Sequence, residues 1–227
     1  MNIGRLKKRL KKLKIITKAS DRTGWVIDEV AFLFYALVKF YKPSLIIQIG
    51  HLWGKSAVFL LEALTDGFLM DGERVEEGIL SGDKKFLLFV KSQWPKVRQG
   101  KLISVDGFPY GNWKQGIKYL KQQYGKNQFE FVVEKSFRFF EDHSNEIKKK
   151  YSDKVILGVV DGDHSYEACM ADLEGMANLG ADHIIVDDLK WLPHIQEVCM
   201  KFIHTHPAYS LSRFLVYNGL AILSKNK

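Results

Sequence analysis

The sequence predicts an α/β protein in which a mainly parallel, doubly wound sheet carries helices on both faces. Runs rich in Val, Ile and Leu alternate with helical segments from residue 45 to residue 205, a pattern typical of parallel sheets. Gly50 and Gly54 lie where the first strand turns into a helix. Towards the end of the chain, two strand-like runs meet at Asn218-Gly219, which predicts a tight hairpin and an antiparallel last strand.

The individual elements follow from the same periodicities. The predicted strands are 45–49, 101–106, 128–134, 155–160, 181–186, 209–217 and 220–224. The predicted helices between them are 56–64, 112–124, 136–150, 166–179 and 189–204, the last bent near Pro193. Helices are also predicted over 5–18 and over 25–41, where the second ends before Pro43 because proline cannot continue a helix.

The length of 227 residues suits one α/β domain. We expect residues 1–43 to form N-terminal helices that pack on a body made by residues 44–227. The glycine- and charge-rich stretch of about 65–100, with a predicted helix over 84–91, is interpreted as an insertion. It forms either part of a lid or a surface excursion.

The net charge of +8 is concentrated near the N-terminus, where residues 5–18 contain eight basic residues and no acid. Leu6, Leu10, Leu13 and Ile16 form an apolar stripe on this predicted helix, so we favour a helix packed by that stripe with solvated lysines. A weak contact of residues 5–18 with a membrane surface or an anionic partner is the alternative. No motif accompanies the charge that would indicate specific nucleic-acid binding.

The compartment is predicted from the cysteines and the hydropathy. Cys169 and Cys199 lack the paired spacing of zinc or redox motifs and are expected to be free thiols in a reducing compartment. The longest apolar run, residues 30–38, is too short to cross a bilayer, and the N-terminus lacks the features of a signal peptide. We therefore expect a cytoplasmic protein.

The first strand-to-helix turn has the features of a ligand-binding turn. Gly50 and Gly54 allow the main chain to approach a ligand closely, and the following helix offers free N–H groups to an anionic or carboxylate-bearing group. Asp106, at the end of the second strand, is either a ribose-binding acid or a turn cap. Ser136, after the third strand, either contacts an adenine edge or caps a helix.

Carboxylates also follow the fourth and fifth strands. Asp161 ends the fourth strand, His164 follows three residues later, and Asp187 and Asp188 end the fifth. The carboxyl ends of parallel strands open onto one crevice, so these groups are expected to converge. The pattern predicts a site for a hard metal ion beside a titratable histidine.

Taken in order, these residues resemble the class I S-adenosylmethionine-dependent methyltransferases, a Rossmann-like family, and the resemblance extends from Leu45 to the C-terminus. It implies a seven-stranded sheet with an antiparallel last strand. In that family an acid before the first glycine binds the cofactor's ammonium group; here Gln48 replaces it. The resemblance implies S-adenosylmethionine contacts at Gln48, Gly50, His51, Gly54, Ser56, Asp106, Ser136 and Asp161.

The acidic segments resemble more narrowly the metal-dependent O-methyltransferases of the catechol, macrolide-sugar and cephalosporin-hydroxylase-like branches. This resemblance implies a divalent metal, usually magnesium, at Asp161, Asp187 and Asp188, with His164 as the general base. The implied acceptor is a hydroxyl of a small molecule with neighbouring oxygens, such as a sugar or a catechol-like diol.

Two other functions stay open at this point. Asp161-Gly-Asp163 also fits the metal-binding acids of a nucleotide-sugar glycosyltransferase, although the glycine turn and the closing hairpin argue against that class. A non-catalytic binding protein of the same fold is favoured by the uncharged Gln48.

Overall fold

The computed structural model describes residues 3–17, 28–51, 54–65, 100–109, 111–215 and 218–226. Within these residues the chain forms one sheet of seven strands in the order β3-β2-β1-β4-β5-β7-β6. Strands β1 to β5 pair in parallel, and β7 is antiparallel to both β5 and β6. The predicted fold class is therefore confirmed.

The helices and strands have the following bounds. The strands are β1 (Leu45–Ile49), β2 (Lys101–Val105), β3 (Phe129–Val132), β4 (Ile156–Val160), β5 (His183–Val186), β6 (Tyr209–Phe214) and β7 (Leu220–Lys225). The helices are α1 (Ile3–Thr17), α2 (Asp28–Tyr41), α3 (Lys55–Thr65), α4 (Trp113–Tyr124), α5 (Ser136–Lys150), α6 (Tyr166–Leu179) and α7 (Pro193–Thr205). The interpretation of residues 65–100 as an insertion concerns a stretch that lies almost wholly outside the described residues.

The closing hairpin differs from the sequence prediction. A turn at Asn218-Gly219 was expected to follow a strand over 209–217, but β6 ends at Phe214, which pairs with Leu220. Asn218 and Gly219 instead accept backbone hydrogen bonds from Lys190 (2.7 Å) and Leu189 (3.1 Å). The turn signal was correct about the reversal, and both of its residues bond to the loop after β5.

Two apolar layers cover the sheet. One contains side chains of α5, α6 and α7, including Phe139, Met176 and Phe202, and the other contains side chains of α1 to α4, including Leu13, Phe34 and Phe59. Strand β1 is buried along its whole length, as expected for a central parallel strand covered on both faces.

The N-terminal helix α1 is attached to the domain by its apolar stripe and by a buried ion pair. Leu6 and Leu13 are buried in the same apolar layer as α3 and α4. Arg9 forms a salt bridge with the fully buried Glu62, which also accepts a hydrogen bond from the Tyr124 hydroxyl at 2.8 Å. The Arg9 guanidinium lies over the Tyr124 ring at 4.5 Å from its centroid.

None of the helices in the described part of the chain combines the length and apolar character required to span a bilayer.

Replacing Glu62 by glutamine is expected to lower the free energy of unfolding by about 3 kcal/mol, because the Arg9 cation then stays largely buried without its counter-ion. Urea denaturation measures this change. Glu141→Gln is the matched control: it breaks the exposed Arg138–Glu141 pair at 2.9 Å, which is expected to change stability by less than about 1 kcal/mol. Equal effects of the two substitutions would contradict a structural role for the buried pair.

Candidate active site

The carboxyl ends of four neighbouring strands form the floor of the candidate site. Their last residues lie in register, namely Ile49, Val105, Val160 and Val186. The next residues along the chain are Gly50, Asp106, Asp161 and Asp187. Backbone N–H groups at these four positions still bond to the neighbouring strand, at 2.9 to 3.1 Å. The structure therefore brings together the glycine turn and the strand-end acids that the sequence analysis selected.

The glycine turn lies directly against the main chain of Asp161. Gly50 has a φ of +85°, and a Cβ atom built on it would lie 1.9 Å from the Asp161 carbonyl oxygen. No side chain larger than hydrogen fits there, and an L-residue is strained at this φ. The turn after β1 and the loop after β4 consequently form adjoining walls of one crevice.

Gln48 lies beneath this turn and is fully buried. Its side-chain N–H donates to Ser56 Oγ at 2.7 Å, and its carbonyl oxygen accepts from Ser104 Oγ at 3.4 Å. Gln48 therefore braces the first turn of α3 against β2. Direct cofactor binding by Gln48 and Ser56 stays a prediction, because both side chains are engaged with each other.

His51 and Asp106 connect the glycine turn to strand β2. The backbone N–H of His51 donates to Asp106 Oδ2 at 3.1 Å, and the imidazole Nδ1 of His51 lies 2.8 Å from Ser104 Oγ. Burial lowers the pKa of His51 to about 4, although the nearby Asp106 acts in the opposite direction. The imidazole is thus neutral near pH 7. The backbone N–H of His51, through its bond to Asp106, holds the turn against the end of β2.

Asp106 is a turn cap whose carboxylate accepts hydrogen bonds from two backbone N–H groups. Its Oδ1 accepts from the Phe108 N–H at 2.9 Å, and its Oδ2 accepts from His51. Each carboxylate oxygen can accept more than one hydrogen bond. The two interpretations offered by the sequence are therefore compatible, and the capping bonds fix the carboxylate at the end of β2.

Ser136, at the start of α5, lies close enough to Asp172 on α6 to lower the pKa of its carboxyl group. Asp172 is buried, and its Oδ1 has no hydrogen-bond partner within the described part of the chain. Burial raises the pKa of Asp172 to about 7, with the Ser136 hydrogen bond opposing the shift and Asp163 adding to it. Sequence analysis missed Asp172 because an acid on a helix gives no signal of burial.

Asp172→Asn is expected to stabilise the protein at pH 8 and to lose that advantage as the pH falls towards 4. The raised folded-state pKa means that protonated Asp172 favours folding, and this contribution disappears as the pH rises from about 4 to about 7. At pH 8 the difference in unfolding free energy between Asp172→Asn and the parent is about 1.4 kcal/mol for each unit by which folding raises the pKa of Asp172. Thermal unfolding from pH 4 to pH 8 measures it, with the exposed Glu174→Gln on the same helix as control. A difference between Asp172→Asn and parent that does not vary with pH would contradict this prediction.

Asp161, Asp187 and Asp188 form an acidic cluster across the ends of β4 and β5. Burial raises the pKa of Asp161 well above its usual range, and the charges of Asp187 and Asp188 raise it further. Burial and the neighbouring Asp188 likewise raise the pKa of Asp187. The three carboxylates are therefore close enough to repel one another.

His164 faces this acidic cluster from the loop before α6. Its Nε2 lies 3.5 Å from Asp188 Oδ2 and 3.9 Å from Asp161 Oδ1. The loop is held by Asp163, which accepts from the Ser165 N–H at 2.9 Å, and by the His194 imidazole, whose Nε2 lies 2.6 Å from the His164 carbonyl oxygen. His194 was not selected from the sequence, because its position at the start of α7 shows no link to the β4 loop.

Asn218 orients the second acid of β5. Its side-chain N–H donates to Asp188 Oδ1 at 3.1 Å, while the Asp188 N–H bonds to Asp187 Oδ1 at 2.8 Å. Asp188 has a φ of +61°, a left-handed conformation that aspartate tolerates better than most residues. The sequence analysis interpreted Asn218 only as a turn residue, so this contact was missed.

The acidic cluster is chemically suited to a divalent cation, although no formed metal centre is present. Across the described ranges, no group of three or more His, Cys, Asp or Glu side chains has the geometry of a metal site. The donor set is three crowded carboxylates, and hard cations such as Mg²⁺ prefer oxygen ligands. Positive charge at this position would relieve the mutual repulsion that raises the pKa of Asp161.

Comparison with known proteins extends the description of the fold. No protein-family model matches the sequence, and no curated protein matches it. Solved structures do match. An O-methyltransferase from Bacillus cereus in complex with S-adenosylhomocysteine superposes with a TM-score of 0.66 at 14% identity, covering 97% of this chain and 90% of its own. This chain has the methyltransferase fold.

Two further methyltransferase structures agree. TomG, an O-methyltransferase of Streptomyces achromogenes involved in tomaymycin synthesis and bound to S-adenosylmethionine, gives a TM-score of 0.63 at 11% identity, covering 97% of this chain and 90% of its own. The Podospora anserina methyltransferase PaMTH1, bound to S-adenosylhomocysteine, gives a TM-score of 0.63 at 11% identity, covering 98% of this chain and 88% of its own. At these identities the likeness establishes the Rossmann-like methyltransferase fold with its antiparallel closing hairpin.

Proposed function

We propose that this protein is an S-adenosylmethionine-dependent O-methyltransferase that acts on a hydroxyl of a small molecule with neighbouring oxygens. The observation that carries the proposal is the contact of Gly50 with Asp161, where an added Cβ would lie 1.9 Å from the carbonyl oxygen. That contact puts the turn suited to a methyl donor next to the acidic cluster suited to an acceptor. Methyl transfer requires both in one crevice.

The donor half of the site is assigned to the turn after β1 and its neighbours. The main chain at Gly50, His51 and Gly54 borders the cofactor, and Asp106 accepts hydrogen bonds from the ribose hydroxyls. Ser136, beside Asp172, lines the adenine side. Gln48 and Ser56 support the turn from below, as their mutual hydrogen bond suggests. The cofactor-bound relatives of the same fold support S-adenosylmethionine as the ligand.

The acceptor half of the site is assigned to His164 and the acidic cluster. His164 Nε2 takes the proton of the acceptor hydroxyl, and Asp161 and Asp188, at 3.9 and 3.5 Å, stabilise the resulting imidazolium. When bound, S-adenosylmethionine would supply an electrophilic methyl group to the deprotonated acceptor oxygen, while its sulfur would keep the electron pair of the broken carbon–sulfur bond and leave as S-adenosylhomocysteine.

Asp161, Asp187 and Asp188 would hold the divalent metal, which we propose is Mg²⁺. When bound, such a cation supplies Lewis-acid activation of the acceptor oxygens and fixes their orientation. Asn218 contributes by holding Asp188 at 3.1 Å. We also propose a cytoplasmic location, since Cys169 and Cys199 are buried free thiols, as is usual in a reducing compartment.

Calorimetry and a methyl-transfer assay test this proposal. The protein should bind S-adenosylhomocysteine, with at least tenfold weaker binding after Asp106→Asn. It should also methylate at least one member of a panel of catechols and sugar diols in the presence of MgCl₂, and EDTA should lower the rate at least tenfold. Absence of cofactor binding would overturn the proposal, and undiminished activity in EDTA would overturn its metal-dependent part.

A non-catalytic binding protein of the same fold is the second candidate. The observation that favours it is Gln48, which is uncharged and occupied by Ser56 and Ser104, so the donor's ammonium group would lack an acidic partner there. This candidate gains if the protein binds S-adenosylhomocysteine but methylates nothing in the panel. The glycosyltransferase alternative is disfavoured by the methyltransferase strand order, and binding of UDP-glucose without S-adenosylhomocysteine would restore it.

A further inference from the structure

Helix α1 has two faces with different roles, and only the inner one is used by the fold. Leu6 and Leu13 are buried in the apolar layer, and Arg9 is held by Glu62. The apolar stripe that would let a free amphipathic helix enter a bilayer is therefore occupied by the domain itself. What α1 presents to the outside is its charged side.

The outer side of α1 is basic, and the neighbouring helix α4 carries exposed lysines as well. The lysines at positions 7, 8, 11 and 12 are exposed, as are Lys114 and Lys118 on α4. Neither helix contains an acidic residue. We refer to these six lysines together as the basic face.

A groove of about 640 Å³ lies at the contact of the two helices. Its walls are formed by Lys8, Arg9, Lys11, Lys12, Ile15, Tyr119 and Gln123. Ile15 is 63% exposed, although it is surrounded by lysines. The basic face and the groove share no residue with the candidate active site, so the proposed methyl transfer does not account for them.

We propose that the basic face docks this protein on the surface of an anionic phospholipid bilayer. Lysine ammonium groups are compact point charges that suit the diffuse negative potential of such a surface. The exposed Ile15 adds apolar contact at the headgroup level. Because the leucine stripe of α1 is already buried, the helix adheres at the surface without inserting, and binding is electrostatic and reversible by salt.

A nucleic acid is the competing polyanion, and the described residues favour it less. Sequence-tolerant binding of single strands uses exposed aromatic rings on which bases stack. None of the large exposed aromatic side chains in the described part of the chain belongs to α1 or α4. The guanidinium of Arg9, a group suited to bidentate phosphate contacts, is committed to the buried Glu62.

Vesicle sedimentation tests the proposal with the full-length protein. We expect binding to vesicles of about 30% phosphatidylserine in phosphatidylcholine, little binding to pure phosphatidylcholine, and release in 0.5 M NaCl. The triple substitution Lys8→Glu, Lys11→Glu and Lys12→Glu should lower the partition coefficient at least tenfold, since each lysine near such a surface contributes about fivefold. Ile15→Ser should lower it about two- to threefold.

The matched control reverses three lysines elsewhere. Lys148→Glu, Lys149→Glu and Lys150→Glu at the exposed end of α5 change the net charge by the same amount and should leave vesicle binding within about twofold. The corresponding Lys→Gln triple on α1 repeats the measurement if the glutamate variant unfolds on heating at a lower temperature than the parent.

Three outcomes would overturn the proposal. Equal binding to neutral and anionic vesicles would exclude an electrostatic mechanism. Equal loss in the α5 control would mean that net charge alone, without the basic face, is responsible. Binding of an RNA or DNA duplex that depends on the α1 lysines, without vesicle binding, would identify the partner as a nucleic acid.

Discussion

His164→Ala is expected to lower kcat for methyl transfer by about 10²- to 10⁴-fold, the usual contribution of a positioned general base. The imidazole Nε2 of His164 lies within 4 Å of carboxylate oxygens of both Asp188 and Asp161. None of the other described histidines forms an ion pair with these two acids. Binding of S-adenosylhomocysteine should be unchanged.

The control for this experiment is His204→Ala. His204 is exposed near the end of α7 and should be replaceable without effect on the rate. Unfolding temperatures of both variants close to that of the parent would separate a chemical effect from a structural one. Full activity of His164→Ala would show that the proton leaves by another route and would remove His164 from the mechanism.

Gly50→Ala is expected to destabilise the protein by about 3 kcal/mol or more and to abolish cofactor binding. The left-handed backbone costs an L-residue about 1–2 kcal/mol, and forcing extra volume into a packed site costs about 1–3 kcal/mol more. Here the added carbon would meet the Asp161 carbonyl oxygen at 1.9 Å. The turn and the β4 loop must therefore separate, which moves the donor and acceptor halves of the site apart.

Gly180→Ala separates the two causes. Gly180 has a left-handed backbone, with φ +91° and ψ 28°, but a Cβ built there has nothing within 4 Å. It should cost only the backbone strain, about 1–2 kcal/mol, and leave S-adenosylhomocysteine binding unchanged. Urea denaturation and calorimetry measure both variants. Similar losses in the two would mean that the contact with Asp161 has no special importance.

The fold was predictable because its central strands are short and apolar and alternate with helices. The predicted boundaries of β1 and β4 agree with the structure to within a residue, since buried parallel strands are continuous apolar runs bounded by polar or turn residues. The acids that end them were predictable for the same reason. The end of such a strand can be located from the local pattern of apolar and polar residues, so the residue at that end can be identified from one sequence.

Contacts between distant segments were not predictable. The Asn218 contact with Asp188 spans 30 residues, and the His194 contact with the His164 carbonyl also spans 30. Asp172 was not selected from the sequence, yet it is buried in the folded protein. Gln48 appeared as a substitution in a cofactor motif, whereas the structure shows a hydrogen-bonded brace between β1, β2 and α3.

The contact of Asn218 with Asp188 has a consequence for how the protein is made. Strand β7 lies between β5 and β6, so Asp188 gains this hydrogen bond only after the closing hairpin has paired with β5. During synthesis, which proceeds at about 5–20 residues per second, the glycine turn and β4 emerge well before that hairpin. A nascent chain could therefore assemble the donor turn seconds before its acceptor side is complete, and the onset of activity would report the final pairing step of the sheet.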